Sequence, residues 1–387
     1  MNRLLDWLRP ARPAVPEKKA QPFFALHGPG EASWSFAGAG ALAREGFARN
    51  PVVYRCVRLV AEAAASLPLI LHEGEHELAA HPLLELLARP GPRQAGRQFL
   101  EALYGHLLVS GNAYVHALEL GAAPRELHLL RPDRVRAVAD AAGWPVAYDY
   151  TAAGRRLRIS AEGDPPPILH LAQFNPLDEV NGLPPLAPAH MALDIHNAAG
   201  RWNKALLDNS ARPSGALVYT ATEGGNLTAD QFDRLKAELE EGYSGAARAG
   251  RPMLLEGGLD WKAMGYSPRD MDFVEARNGA ARDIALAFGV PPMLLGIPGD
   301  NTYANFQEAN RALWRQTVLP LAAGVAATLG AWLADFFGAG LRLDIDADGV
   351  VALAADREAL WRRLAVAEFL TTDEKRAAAG YGPLGDD

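Results

Sequence analysis

Residues 267–292 read SPRDMDFVEARNGAARDIALAFGVPP. Ser267 followed by Pro268 is an N-cap with proline at the first helical position. Gly289-Val290-Pro291-Pro292 is a stop signal, so the stretch predicts one helix running to Phe288. Upstream, Leu186–Asn209 reads as a second long helix with Leu193, His196, Trp202 and Leu206 along it. Between the two lies a compact α/β insert, about residues 213–267. It has a strand at Ala216–Tyr219, a Gly224-Gly225 turn, a helix opened by a Thr228/Gln231 capping box, and strands at Arg251–Leu255 and Trp261–Tyr266. Two helices flanking a small insert make a stalk with a tip. Beyond them, Pro291–Asn305 is a Gly/Pro-rich loop, and a third long helix is predicted from Tyr303 to about Phe336.

The N-terminal half reads differently. Pro10, Pro13, Pro16 and Pro22 mark residues 1–22 as a mobile arm, and Met1–Arg9 has no long apolar run of the secretory kind. After Pro51, Val53, Cys56, Val57, Val60, Ala64 and Leu67 recur at helical spacing. A strand follows at Leu67–His72, and a helix from about Gln94 carries Phe99, Leu103 and Leu107 to the Ser110-Gly111-Asn112 break. Strands are predicted at Ala113–Leu120, Leu127–Leu130, Arg134–Ala139, Pro145–Tyr150 and Arg155–Ile159. The chain is therefore read as α+β. Its end is expected to hold a strand pair across Asp348-Gly349, then a helix with Leu360, Trp361 and Leu364.

Composition narrows the function classes. The chain has 387 residues, 49% hydrophobic and 22% charged, enough for two or three domains with real cores. A formal net charge of −8 excludes a basic nucleic-acid coat. The single cysteine, Cys56, excludes an intrachain disulfide and a Cys-rich zinc module. Val318–Ala334 carries no charge, but it is mostly Ala, Gly and Thr with Pro320 inside. A buried helix suits it better than a membrane span, and a membrane-associated oligomer is kept as an alternative.

His72-Glu73-Gly74-Glu75-His76 matches H-E-x-x-H, in which one helical face presents two zinc ligands and Glu is the base. Gly74 sits mid-motif after the strand-like LPLIL, so a hairpin turn is expected, and a zinc metallohydrolase using His72, Glu73 and His76 is the enzyme alternative. Asp344–Gly349 opens like a calcium loop, but Ala355 stands where the bidentate Glu belongs. Gly242–Ala246 lacks the final glycine and the preceding strand of a nucleophile elbow. No Walker A sequence occurs. The expectation is a non-enzyme with no catalytic residue, metal or cofactor.

Several short runs together resemble the siphophage portal proteins. They are Asn50–Tyr54 through Ser66–Leu69, His81-Pro82-Leu83 with Leu86-Leu87, and Leu107–Tyr114 (LLVSGNAY). Gly182–Leu186 (GLPPL), Asn209–Gly215 and Leu255–Gly258 continue the set. The most specific is Ile284–Pro292 (IALAFGVPP), with Leu295-Gly296 and Thr302–Asn305 behind it, and Thr371–Pro383 closes the series. The short, Ala- and Arg-rich chain is similar to the portals of bacterial gene transfer agents.

The resemblance implies a homo-oligomeric ring, commonly a dodecamer, at one capsid vertex of a virion or gene transfer agent particle assembled in the bacterial cytoplasm. Double-stranded DNA passes through it, without sequence specificity, during packaging and ejection. Its further partners are the major capsid protein, the large terminase and the head-tail adaptor, with no membrane. The implied parts are a wing (23–182), stem helix 1 (183–209), a clip (210–267), stem helix 2 (268–290), a tunnel loop (291–305), a long helix returning to the wing (303–340), and a C-terminal wing with reduced crown (341–387). Ile297, Pro298, Gly299, Asp300 and Asn301 are expected to form the narrowest part of the channel. Glu238, Glu240 and Glu241 are expected on the clip surface that meets the packaging motor and tail adaptor, although they also suit a solvated helix face. The charge balance is compatible, with five basic against eight acidic residues over 213–266, since a strongly basic wall would hold DNA and stall it.

Overall fold

The computed structural model describes residues 39–74, 76–119, 123–208, 215–219, 228, 230–231, 233–234, 259–263, 273–299 and 302–382. All of them belong to one compact unit, Ser35–Asp387.

After a helical segment at Ala39–Phe47, Asn50 starts helix α1 (Pro51–Ala64), because its Oδ1 accepts from the backbone N–H groups of Val52 and Val53. The periodic residues Val53, Cys56, Val57, Val60, Ala61 and Ala64 form its buried face. Strand β1 (Leu69–Glu73) then turns at Gly74 into β2 (His76–Glu77). The short helix α2 (Pro82–Ala88) follows, capped by the His81 side chain; the sequence reading had not resolved it. Helix α3 (Gly96–Ser110) packs beside α1 and buries Phe99, Leu103 and Leu107.

Two three-stranded antiparallel sheets follow. In one, β3 (Asn112–Glu119) lies between β4 (Pro124–Leu130) and β8 (Ile168–Ala172). In the other, β6 (Pro145–Ala152) lies between β5 (Val135–Ala139) and β7 (Arg155–Ser160). Strand β8 carries little signal in sequence, because ILHLA is short and follows Pro165-Pro166-Pro167. Tyr114, Leu130, Tyr148, Ile159 and Ile168 make a small second core between these sheets.

Helix α4 spans His190–Asp208, a turn later than expected, because residues 185–189 form successive turns. Helix α5 (Phe273–Ala287) packs against it. Between them, β9 (Gly215–Tyr219) and β10 (Leu259–Ala263) form an antiparallel pair. The Thr228/Gln231 capping box closes reciprocally: Gln231 Oε1 accepts from Thr228 N–H, and Thr228 Oγ1 accepts from Gln231 N–H. The strand expected at Arg251–Leu255 lies outside the described residues.

Helix α6 (Tyr303–Phe337) has a π-turn at Trp314–Val318, ending two residues before Pro320. The wider turn accommodates the missing N–H of the proline. This helix is long and apolar enough to cross a membrane, but Val318, Ala322, Val325, Ala326, Leu329 and Leu333 are buried in the main core. It is a core helix, and the membrane alternative is corrected accordingly.

One further correction concerns β11 (Leu341–Ile345). It pairs with β1, Leu71 facing Leu343, instead of folding back across Asp348-Gly349. A short 3-10 turn (Val351–Leu353), α7 (Ala354–Ala365) and α8 (Thr372–Ala378) complete the described chain.

Candidate functional site

The packed pair α4–α5 is lined largely by alanines, which let two helices approach. Ala192, Leu193 and Ala199 of α4 and Ala280, Ala281, Ile284 and Ala285 of α5 are buried. Asn50 ties this pair to α1. While its oxygen caps α1, its Nδ2 donates to His196 Nδ1 at 3.0 Å and to Asn197 Oδ1 at 2.9 Å. Burial and then the charge of Arg277 lower the pKa of His196, which keeps the ring neutral and Nδ1 free to accept. Beside this joint lies a groove of about 430 Å³ lined by Arg49, Arg201, Lys204 and Arg277, with Glu45 on its edge. Glu45 is paired with Arg49 at 2.7 Å.

The loop after α5 is more ordered than its glycines suggested. Gly289 adopts φ +63°, and a Cβ there would stand 2.6 Å from Thr317 Oγ1, whose hydroxyl donates to the Gly289 carbonyl at 2.7 Å. Only glycine fits both the left-handed backbone and that approach. A 3-10 turn (Pro292–Leu295) follows, and the Arg282 guanidinium donates to the Pro298 carbonyl. Ile297 is 7% exposed and packs in the main core. Its bulk therefore anchors the loop to the core instead of standing in solvent. Pro298 and Gly299 are exposed. Asp300 and Asn301, like Glu238, Glu240 and Glu241, lie outside the described residues. Sequence reasoning missed Arg282 and Thr317, since neither belongs to the loop they hold.

A third feature joins LLVSGNAY to GLPPL. Asn112 is buried at the start of β3, and its Oδ1 accepts from Gly182 N–H at 2.8 Å and from His170 Nε2 at 2.9 Å. Because that oxygen is an acceptor for Gly182, Nε2 of His170 carries the proton, and Nδ1 accepts from the Tyr148 hydroxyl at 3.3 Å. His170 stacks on Tyr114 with ring centroids 4.3 Å apart. Burial lowers the His170 pKa to about 4.

The zinc candidate fails on geometry. In the β1–β2 hairpin, His72 faces Glu77 and Glu73 faces His76, so the two histidines lie on opposite faces of the ribbon. One ion cannot take both. Asp346, in the calcium-like loop, instead accepts from Asp348 N–H in a local turn. Among the described residues no group of three or more His, Cys, Asp or Glu is placed to hold a metal ion.

A body holding three three-stranded sheets, a packed helix pair leading to a separate strand pair, and a tethered loop feeding a long core helix define a structural protein of the portal class. The chain belongs to the phage portal protein family, whose model matches residues 51–380. It is 42% identical to an uncharacterized protein of Rickettsia bellii, over 88% of this chain and 89% of that one. It is 25% identical to the portal protein of Enterobacteria phage HK97, over 99% and 89% of the two chains. Among solved structures it is 52% identical to a chain in the neck of an empty gene transfer agent particle computed with C6 symmetry, with TM-score 0.73 and coverage of 91% and 95%. The corresponding match in the native particle's neck, computed with C12 symmetry, has TM-score 0.69 at 52% identity, covering 91% and 96%. An HK97-family portal from Corynebacterium diphtheriae shares the fold alone, with TM-score 0.57 at 17% identity over 81% and 95%.

Proposed function

We propose that this chain is the portal subunit of a gene transfer agent or closely related tailed-phage particle. Twelve copies form a ring at one capsid vertex, and duplex DNA moves through the ring during packaging and ejection. The observation that carries this reading is the packed α4–α5 pair ending in β9–β10, together with 52% identity to a chain of a neck computed with C12 symmetry. Repetition of such a unit about an axis closes by heterologous contacts into a funnel.

Within the ring, residues 183–209 and 268–290 act as stem, 210–267 as clip and 23–182 as wing. The clip docks the large terminase and later the head-tail adaptor, with Glu238, Glu240 and Glu241 offering acidic contacts. The wing meets the major capsid protein. Residues 291–305 face the channel through Pro298, Gly299, Asp300 and Asn301, while Ile297 holds the loop to the body. The chain performs no chemical step, and the energy for translocation comes from the terminase.

Electron microscopy of the purified full chain tests the assembly; a hollow ring with radial symmetry is expected, and a compact monomer overturns the reading. Deleting residues 298–301 is expected to block DNA-filled particles while rings still form. Normal packaging by that deletion would remove the loop from the channel.

A further inference from the structure

The loop from β8 to Gly182, residues 173–182 (QFNPLDEVNG), holds two large apolar side chains in solvent: Phe174 is 87% exposed and Leu177 is 86% exposed. The loop is nonetheless stapled at every turn. Asn175 Oδ1 accepts from Leu177 N–H, and Asn175 Nδ2 donates to the Asn181 carbonyl at 2.7 Å. Asp178 Oδ1 accepts from the N–H groups of Val180 and Asn181, while its Oδ2 accepts from Asn181 Nδ2. Those bonds hold the Asp178 carboxyl below the usual carboxylate range. At its ends, Gln173 N–H donates to the Gly111 carbonyl and Gly182 is clamped by Asn112. Ordering a loop costs conformational entropy, and exposing an aromatic and a leucine at its tip costs more. A rigid loop that gains nothing from its own apolar tip is pre-organised for a partner.

We infer that loop 173–182 is a docking element between neighbouring copies of this chain: Phe174, Leu177 and Glu179 of one copy seat on the groove of the next beside Arg201 and Arg277, while Arg49 there stays paired with Glu45. This rests on the ring reading above. Heterologous closure requires each copy to present two different, complementary surfaces. The loop supplies an apolar tip flanked by negative charge, and the exposed Glu179 makes no ion pair or hydrogen bond among the described residues. The groove supplies positive charge, felt at His196 through Arg277, on arginine stems that suit an aromatic face. Arg201 and Arg277 are both exposed, and neither forms a salt bridge among the described residues.

The test uses the full chain in a Glu179→Cys/Arg201→Cys double variant. Cys56, at 0% exposure, stays out of the chemistry. Mild oxidation is expected to give a ladder of covalent multimers on a denaturing gel, absent from either single variant. Phe174→Ser/Leu177→Ser is expected to lower the ring fraction at least tenfold at equal concentration, with an unchanged monomer melting temperature. Arg201→Glu/Arg277→Glu should do the same, and Glu179→Arg should restore rings to Arg201→Glu. No ladder overturns the pairing, whether or not the loop variant still assembles. If rings persist in the loop variant and capsid-protein attachment is lost instead, the loop serves a different partner and the inference is wrong, although the portal reading stands. If the unaltered chain forms no ring, both fail together.

Discussion

Asn112 and Gly182, 70 residues apart in sequence, hydrogen-bond in both directions: Asn112 Oδ1 accepts from Gly182 N–H at 2.8 Å, and Asn112 Nδ2 donates to the Gly182 carbonyl at 3.3 Å. The peptide at Gly111 lies so close that a Cβ on Gly182 would stand 2.1 Å from the Gly111 carbonyl oxygen. This clamp fixes the segment after β8, which leads into α4, against the start of β3.

Gly182→Ala therefore forces backbone apart from backbone, with no flexible side chain to yield. A loss of about 2–4 kcal/mol is expected, measured by urea denaturation. Stability within 0.5 kcal/mol of the unaltered chain would show that the approach relaxes freely.

The His170 network makes stability depend on pH. The folded-state pKa is lowered, to about 4, against an ordinary value of 6.5, so the neutral ring is the one the fold holds. This contribution is complete above about pH 6.5 and is lost as pH falls towards 4, on the order of 3 kcal/mol. In His170→Gln, the amide keeps a donor towards Asn112 and does not titrate. The acid slope between pH 6.5 and 4 should flatten in this variant relative to the unaltered chain, and an identical slope would place the titration elsewhere.

Arg282→Ala removes the guanidinium that donates to the Pro298 carbonyl. Rings should still assemble, because Arg282 is exposed and outside the core. Faster amide exchange over 296–299 and at least a severalfold drop in DNA-filled particles are expected. Unchanged exchange would mean that Ile297 alone holds the loop.

Cys56 is buried on α1, and burial pushes its thiol pKa up to about 12. It should resist thiol reagents at pH 8 in the folded chain and react at once in denaturant. Prompt labelling under native conditions would contradict the packing of α1 against the core.

The β1–β2 hairpin gives a fifth check by separate means. Equimolar zinc or a chelator should leave the melting temperature unchanged, and so should His76→Ala, because His72 and His76 lie on opposite faces. A zinc-dependent rise of several degrees would reopen the hydrolase reading.

Local chemistry made much of the molecule legible. The periodic apolar face after Asn50-Pro51, the stop at Gly289-Val290-Pro291-Pro292 and the Thr228/Gln231 box are signals written within a few residues, and each element appears close to where the pattern put it. Signals that depend on distant partners were not legible. Leu341–Ile345 is a good strand in sequence, yet its partner is β1, some 270 residues earlier, so pairing it across Asp348-Gly349 chose the nearest neighbour and missed the true one. Ile297 is a bulky residue in a Gly/Pro loop, and sequence offered no sign that the main core reaches it.

The sequence by itself determined the order of elements, the α+β class and the family, because capping, periodicity and short ordered motifs are local properties. Tertiary structure alone decided that Asn112 meets Gly182, that Arg282 braces Pro298, that His72 and His76 part company, and that Phe174 and Leu177 stand in water. Those facts depend on which surfaces come together when the chain closes on itself, and burial is a property of the assembled whole.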